Sequence, residues 1–402
     1  MNILFLTLNT FDTLNNSTIY TDLLRTFRDN DNLIYVITPL ERRNHKDTYV
    51  IKEKNVIILR LKVGNIFRTN IIEKGLSTIF LENQYKTAIE KHFGNIKFDL
   101  ILYSTPPITL VSAIEYVKKR DGAKTYLLLK DIFPQNAADI GIMPSSGIRG
   151  ILYKYFRKKE KKLYRLSDTI GCMSPANVRY VLKHNPEISP DKVEVCPNAV
   201  EIIDKSIDDL TRKSIRDKYG IPQDKIIFVY GGNLGRPQGI DFLIACLKSQ
   251  KNNHNAYFFI VGDGTDYIKL EEHYKSGYQQ NFKLMKRLPK EDYDTVVAAC
   301  DVGLIFLDHR FTIPNFPSRL LGYMQAKIPI LACTDPNTDI GQVISDGGFG
   351  WWCESNSIED FNKTIDNATH ANTKAMGKIA YVYLKNHYTV EHCYNIIRKW
   401  IK

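Results

Sequence analysis

The sequence predicts an α/β protein built from two doubly wound, Rossmann-like domains. Three observations lead there. The chain has 402 residues, short apolar runs alternate with helical stretches along its length, and that alternation restarts after a polar stretch at 201–224. At roughly 100–200 residues per domain, two cores are expected rather than one. Strands separated by amphipathic helices join through right-handed crossovers into mostly parallel sheets.

In the first half the apolar or alternating runs fall at 3–8, 33–38, 56–61, 100–103, 125–129, 169–173 and 193–196. The second half supplies 226–230, 257–261, 283–284, 302–306, 329–332 and 350–352, with helical segments such as 241–248 and 292–299 between them. A first domain is expected over 1–197 and a second over 198–384. Sheets of this kind bind ligands beyond the carboxyl ends of their strands, so both domains are expected to face a shared cleft. In the last segment, 385–402, Val390, Tyr394, Ile397 and Ile401 recur at helical spacing. It reads as a helix that packs back across the first domain.

Composition narrows the class. With 44% hydrophobic and 25% charged residues, the chain is an ordinary globular protein, neither disordered nor collagenous. Seven widely spread cysteines without a C-x-x-C pair suggest neither a zinc site nor a disulfide framework, and point to a reducing, cytoplasmic compartment. The apolar run Ile3-Leu4-Phe5-Leu6 ends too soon for a signal peptide and reads as a first strand. No run of about 18 apolar residues is present, so no bilayer span is expected.

The formal net charge is +11, of which +10 falls in residues 1–200 and +1 in 201–402. A basic half suits an anionic membrane surface or a phosphorylated substrate. No zinc finger, RNP-like strand or basic Gly-x-x-Gly loop is present, so nucleic acid is not an expected partner. Residues 150–165 carry seven Lys/Arg between Lys154 and Arg165, with Leu152, Tyr155, Phe156 and Leu163 expected on one apolar side. Such a helix can rest on an anionic interface, and the mixed segment 63–81 is placed beside it.

Two motifs suggest anion chemistry. In Gly231-Gly232-Asn233-Leu234-Gly235-Arg236-Pro237-Gln238-Gly239 an apolar strand runs into a glycine-rich turn before a helix. Glycines permit close backbone approach, and the N–H groups at a helix start favour an anion. In Pro314-Asn315-Phe316-Pro317-Ser318-Arg319, Pro317 is expected to open a helix with Ser318 and Arg319 in its first turn. An arginine there opposes the helix dipole, so an anionic ligand is the natural reason for it. Asp131 follows the buried run 127–130, where a strand end would present a carboxylate to an acceptor hydroxyl. The Asp29-Asn30-Asp31 string lies in a polar turn, and the nine histidines form no ligand cluster, so no metal site is expected.

Read in order, these motifs resemble the GT4-type, GT-B-fold glycosyltransferases, and within them the WbuB-like N-acetyl-L-fucosamine transferases of bacterial polysaccharide synthesis. The collinear set is Asp131-Ile132-Phe133-Pro134, Met173-Ser174-Pro175-Ala176-Asn177, Pro197-Asn198-Ala199-Val200, Val261-Gly262-Asp263-Gly264, Ala298-Ala299-Cys300-Asp301-Val302 and Pro317-Ser318-Arg319. The resemblance implies sugar transfer from a UDP-sugar with retention of configuration, without a required metal or cofactor. The acceptor it implies is a polyprenyl-diphosphate-linked saccharide of capsule or O-antigen, at the inner face of the cell membrane. Carried over residue by residue, Gly232, Asn233, Arg236, Gln238, Ser318 and Arg319 would surround the diphosphate, and Leu288 would meet the base. Pro317 belongs to the same loop. The family's Glu-x7-Glu pair is missing, its glutamates replaced by Pro314 and Gly322, and Asn315 is the substitute for the ribose contact. Two other readings compete: a nucleotide-sugar epimerase of the same architecture, and a non-catalytic partner module suggested by the missing glutamates.

Overall fold

The computed structural model describes residues 1–66, 71–147, 150–277 and 280–401. The chain forms two compact units, one of residues 1–201 with 390–402 and the other of residues 202–389. The boundary after the first unit lies four residues beyond the expected 197.

The first unit holds an eight-stranded sheet: β1 (Asn2–Leu6), β2 (Leu33–Glu41), β3 (Tyr49–Glu53), β4 (Val56–Val63), β5 (Leu100–Ser104), β6 (Lys124–Leu129), β7 (Thr169–Cys172) and β8 (Val193–Val195), in the order β3-β4-β2-β1-β5-β6-β7-β8. All neighbours are parallel except β3, which turns back on β4. This edge hairpin is absent from the sequence reading, because its half-exposed residues lack a buried apolar run; Asn55, at positive φ, makes the tight turn. Its helices are α1 (Thr21–Asp29), α2 (Ile71–Phe93), α3 (Val111–Asp121), α4 (Gln135–Asp139), α5 (Ile151–Leu166) and α6 (Pro175–His184).

The second unit has a wholly parallel six-stranded sheet of β9 (Ile226–Asn233), β10 (Ala256–Asp263), β11 (Phe282–Met285), β12 (Val302–Phe306), β13 (Ile330–Thr334) and β14 (Gly350–Glu354), ordered β11-β10-β9-β12-β13-β14. Its helices are α7 (Asp209–Tyr219), α8 (Ile240–Ser249), α9 (Tyr267–Lys275), α10 (Lys290–Ala298), α11 (Arg319–Gln325), α12 (Ile340–Asp346), α13 (Ile358–Thr369) and α14 (Thr373–His387). The buried strand residues are nearly continuous apolar runs, as expected of sheets covered on both faces. One buried polar group anchors this sheet: Asp301 accepts from Ile227 N at 2.8 Å and from Arg216 Nη2 at 2.6 Å, and also pairs with Arg212.

Residues 385–387 close α14 in the second unit, so the terminal helix is shorter than expected. It is α15 (Val390–Arg398), and it joins the first unit. Its Val390, Cys393, Tyr394 and Ile397 enter that unit's core, with Tyr394 edge-on to Phe27 of α1 at 4.8 Å.

In both sheets the first strand of the unit lies inside, flanked by neighbours reached in opposite directions: β1 between β2 and β5, β9 between β10 and β12. Crossovers leave such a strand on both sides, and the loops beyond its carboxyl end part to leave room for a ligand.

Candidate functional site

In the second unit, β9 ends in the glycine-rich segment. The strand runs three residues further than expected, so Gly232 and Asn233 belong to its end, and a single 3₁₀ turn, Arg236–Gln238, separates it from α8. Gly232 has φ +126°, a conformation that strains any other residue. A β-carbon on it would stand 3.3 Å from Arg319 Nη2.

Arg319 reaches this strand from the first position of α11. The helix begins at Arg319 itself, so Pro317 and Ser318 precede it and do not fill its first turn as expected; the exposed Ser318 makes no side-chain cap bond. The Arg319 side chain does not turn to solvent. Its guanidinium carbon lies 4.4 Å from the centre of the Tyr230 ring, a cation–π contact that holds the fork without neutralising it. Its Nη1 is buried and has no hydrogen-bond partner among the described residues. Tyr323 anchors the other side, its hydroxyl donating to Leu304 O at 3.0 Å. Tyr293 of α10 packs directly on the bare Gly231 backbone. This trio of tyrosines went unnoticed in the sequence; the signal was there in Gly231, since a glycine inside a buried strand marks a bulky side chain lying against it.

The other expected residues distribute unevenly. Arg236 is exposed and pairs with no carboxylate among the described residues, which leaves it available beside the turn. Asn233 and Gln238 bind each other, Asn233 Nδ2 donating to Gln238 Oε1 at 2.7 Å; that oxygen also accepts from Gly235 N at 3.3 Å. They therefore shape the turn from within. Leu288 is half-buried in the segment between β11 and α10. Asn315 is half-buried, its carbonyl accepts from the Thr338 hydroxyl, and its Nδ2 is buried with no partner among the described residues. An amide donor left open in this way costs about 1–3 kcal/mol unless a ligand meets it.

In the first unit, Asp131 follows β6 by two residues and is half-buried. Its Oδ2 accepts from Asn136 Nδ2 at 2.6 Å, and its backbone N–H and carbonyl both engage the Thr105 hydroxyl, at 3.2 and 3.0 Å. Burial pushes its carboxyl up to about 6, against the bonds from Ile132 N–H and Asn136 that favour the charge. Tyr20, whose own hydroxyl burial raises to about 12, lies close enough to feel Asp131 and bonds toward Ser104 and Asn9. Asp131 is thus a carboxylate near neutrality among hydroxyls at the carboxyl edge of the sheet.

The basic helix is α5, and its apolar residues divide rather than share a side. Phe156 and Leu163 are buried, whereas Ile151, Leu152 and Tyr155 of the first turns are exposed. Phe156 is taken into the domain by Phe133, 5.1 Å away. Lys154, Lys158, Lys161, Lys162 and Arg165 line one open groove beside Tyr153 and Arg157. Within 63–81, Phe67, Arg68 and the side chains of Ile71, Ile72, Lys74 and Leu76 lie outside the described residues; Ile79 and Phe80 are exposed on α2. Among the described residues, no helix is long and apolar enough to cross a membrane, and no three metal-ligating side chains cluster.

Residues 211–382 match the family model of glycosyl transferases group 1. A probable glycosyltransferase of Pseudomonas aeruginosa, WbjE, is 24% identical over 324 residues, covering 80% of this chain and 78% of that protein. The putative colanic acid biosynthesis glycosyl transferase WcaI of Escherichia coli K12 is 22% identical over 251 residues, 61% of this chain and 60% of that one. The crystal structure of Anabaena HepE in complex with UDP shares the fold with a TM-score of 0.68 at 15% identity, over 99% of both chains.

Proposed function

We propose that the chain, a GT-B glycosyltransferase with the group 1 domain in residues 211–382, transfers a sugar from a UDP-sugar to a polyprenyl-diphosphate-linked saccharide. The observation that carries this reading is Arg319: a cation held against Tyr230, with Nη1 buried and unpartnered beside Gly232. A half-buried charge with no carboxylate partner among the described residues and one nitrogen buried without a bond is poised for an anion, and a fork of N–H donors fits phosphate oxygens. When the bond from sugar C1 to the β-phosphate breaks, its electron pair stays on the diphosphate. Arg319, the exposed Arg236 and the N–H groups of the glycine-rich turn stabilise that charge, so no metal is required. Ser318 and Gln238 add donors, Asn315 takes the ribose hydroxyls, and Leu288 lies against the base. Asp131 orients the acceptor hydroxyl and takes its proton as the oxygen bonds to C1, and the sugar is transferred with retention of configuration.

The UDP held by HepE supports a uridine donor, and the colanic acid role in the name of WcaI supports capsule or O-antigen synthesis. The WbuB-like sequence resemblance makes N-acetyl-L-fucosamine the first donor sugar to test. Ile151, Leu152 and Tyr155, exposed beside Lys154 and Lys158, suit an anionic bilayer, so the enzyme works at the cytoplasmic face of the membrane as a peripheral protein. The test is incubation of the purified chain with a panel of UDP-sugars and a membrane lipid extract, read by mass spectrometry. Sugar transferred to lipid is the expected product; an epimerised nucleotide-sugar, or no reaction with any donor, overturns the reading.

A further inference from the structure

Three arginines of the described residues are buried, Arg25, Arg60 and Arg216, and they are satisfied very differently. Arg25 binds Asp22, Glu201 and the Leu14 carbonyl. Arg216 binds Asp301 and the carbonyls of Ala299 and Pro222. Arg60, with 5% of its side chain exposed, has neither Nε nor Nη1 in a hydrogen bond among the described residues. Its counter-ion is Asp12, whose Oδ1 lies 2.8 Å from Nη1 out of hydrogen-bond alignment, and whose side chain is 65% exposed on the segment after β1. A buried fork is seldom left open to rest on one solvated carboxylate.

Its position gives the reason. Arg60 pairs in register with Thr38 of β2, whose hydroxyl donates to Asn9 O at 2.5 Å. Thr7, just past β1, continues the row to Ser104 of β5, hydroxyl to hydroxyl at 3.3 Å. Arg60, Thr38, Thr7 and Ser104 therefore form a polar row across the sheet, level with the carboxyl ends of β1 and β5, under the segment that carries Asn9 and Asp12. The row reaches β6 at Leu128, opposite Ser104, and Asp131 follows just past the end of that strand. Four strand spacings separate β4 from β6, roughly 19 Å.

We infer that Arg60 anchors an oxyanion site for the acceptor, with Asp12 as its displaceable counter-ion. This deepens the acceptor side of the proposed transfer and rests on it. An oxygen of a phosphate or carboxylate group would replace Asp12 at Nη1, in better hydrogen-bond alignment and with a charge-assisted bond, and release Asp12 to water. The spacing places that negative charge several sugar widths from the accepting hydroxyl, so the acceptor is an oligosaccharide that carries its charge remotely, on a diphosphate bridge or an acidic sugar.

The test is calorimetric titration of the full chain carrying Arg319→Ala, which weakens the diphosphate site, with inorganic pyrophosphate and with methyl glucuronide. At least one is expected to bind, roughly three- to tenfold more tightly in Asp12→Asn, which removes the internal competitor, and at least about tenfold more weakly in Arg60→Gln, which removes the charged donors. Binding of pyrophosphate identifies the diphosphate bridge as the source, binding of the glucuronide an acidic sugar. If Arg60→Gln does not fold, Asp12→Asn decides alone: tightening supports the site, and unchanged or weaker affinity overturns it. No binding of either anion also overturns it. UDP titration of the chain with Arg319 intact keeps the two readings apart, since UDP binding without an anion response at residue 60 refutes this inference and leaves the transfer standing.

Discussion

Replacing Asp131 by asparagine removes a charge that the fold tolerates at a cost. The carboxyl is raised from 3.8 to about 6 by burial, and one pKa unit corresponds to about 1.36 kcal/mol. The ionised form is therefore disfavoured in the folded domain by up to about 3 kcal/mol, and by about half that once partial solvent access is counted. Asparagine keeps the shape and an oxygen to accept from Asn136. The sign follows from linkage: a raised carboxyl takes up protons on folding, so wild-type stability falls as pH rises from about 4 to about 6. Asp131→Asn is thus more stable above pH 6, the gain shrinks through that window, and it vanishes near pH 4. At pH 7.5 a gain of about 1.5 kcal/mol raises the melting temperature of a domain of this size by roughly 3–6 °C. Transfer activity falls at least about 100-fold in the same variant, because the acceptor loses its charged partner. Thermal unfolding monitored from pH 4 to pH 8 beside the lipid transfer assay reads both effects. A variant less stable than wild type at pH 7.5, or one with full transfer activity, refutes the reasoning.

Three further outcomes follow from the same geometry. Gly232→Ala forces a β-carbon toward Arg319 at a φ of +126°, costing about 1–3 kcal/mol of stability; UDP affinity measured by calorimetry falls with it, and an unchanged affinity would detach the strand end from the diphosphate. Asp301→Asn leaves Arg216 and Arg212 without their shared carboxylate and destabilises the second unit by about 3–5 kcal/mol, seen as an early transition in urea while the first unit's near-ultraviolet signal persists. Leu152→Ser with Tyr155→Ser removes exposed apolar side chains from α5 and lowers sedimentation with anionic vesicles, whereas Lys154→Glu with Lys158→Glu lowers it in a salt-dependent way, about 1 kcal/mol per lysine; vesicle binding unaffected by all four changes removes α5 from the membrane.

Alternation and buried apolar runs made both sheets legible, since parallel strands covered on two faces differ sharply from the helices between them. The edge strand β3 escaped because half-exposed pairs carry no such run, and the true start of α15 escaped because α14 has helical periodicity up to His387. At the site, Gly232 and Arg319 stood out as residue types that need a reason. What periodicity does not contain is distance: it did not reveal that Tyr230 would hold Arg319, that Asn233 and Gln238 would spend their amides on each other, or that Leu152 and Phe156 would part company on α5. The buried Arg60 was equally silent, because only the register of β2 on β4 puts it level with the end of β1, under Asp12.

Calorimetry of UDP with the wild-type chain and with Arg319→Ala tests the donor site most directly. Loss of a charge-assisted phosphate contact is worth about 1.5–3 kcal/mol, so wild type binds UDP and the variant binds it roughly 10- to 100-fold more weakly while keeping its circular dichroism spectrum. Absence of any heat with the wild-type chain, or equal affinity in the two, would contradict the assignment of Arg319 to a departing nucleoside diphosphate.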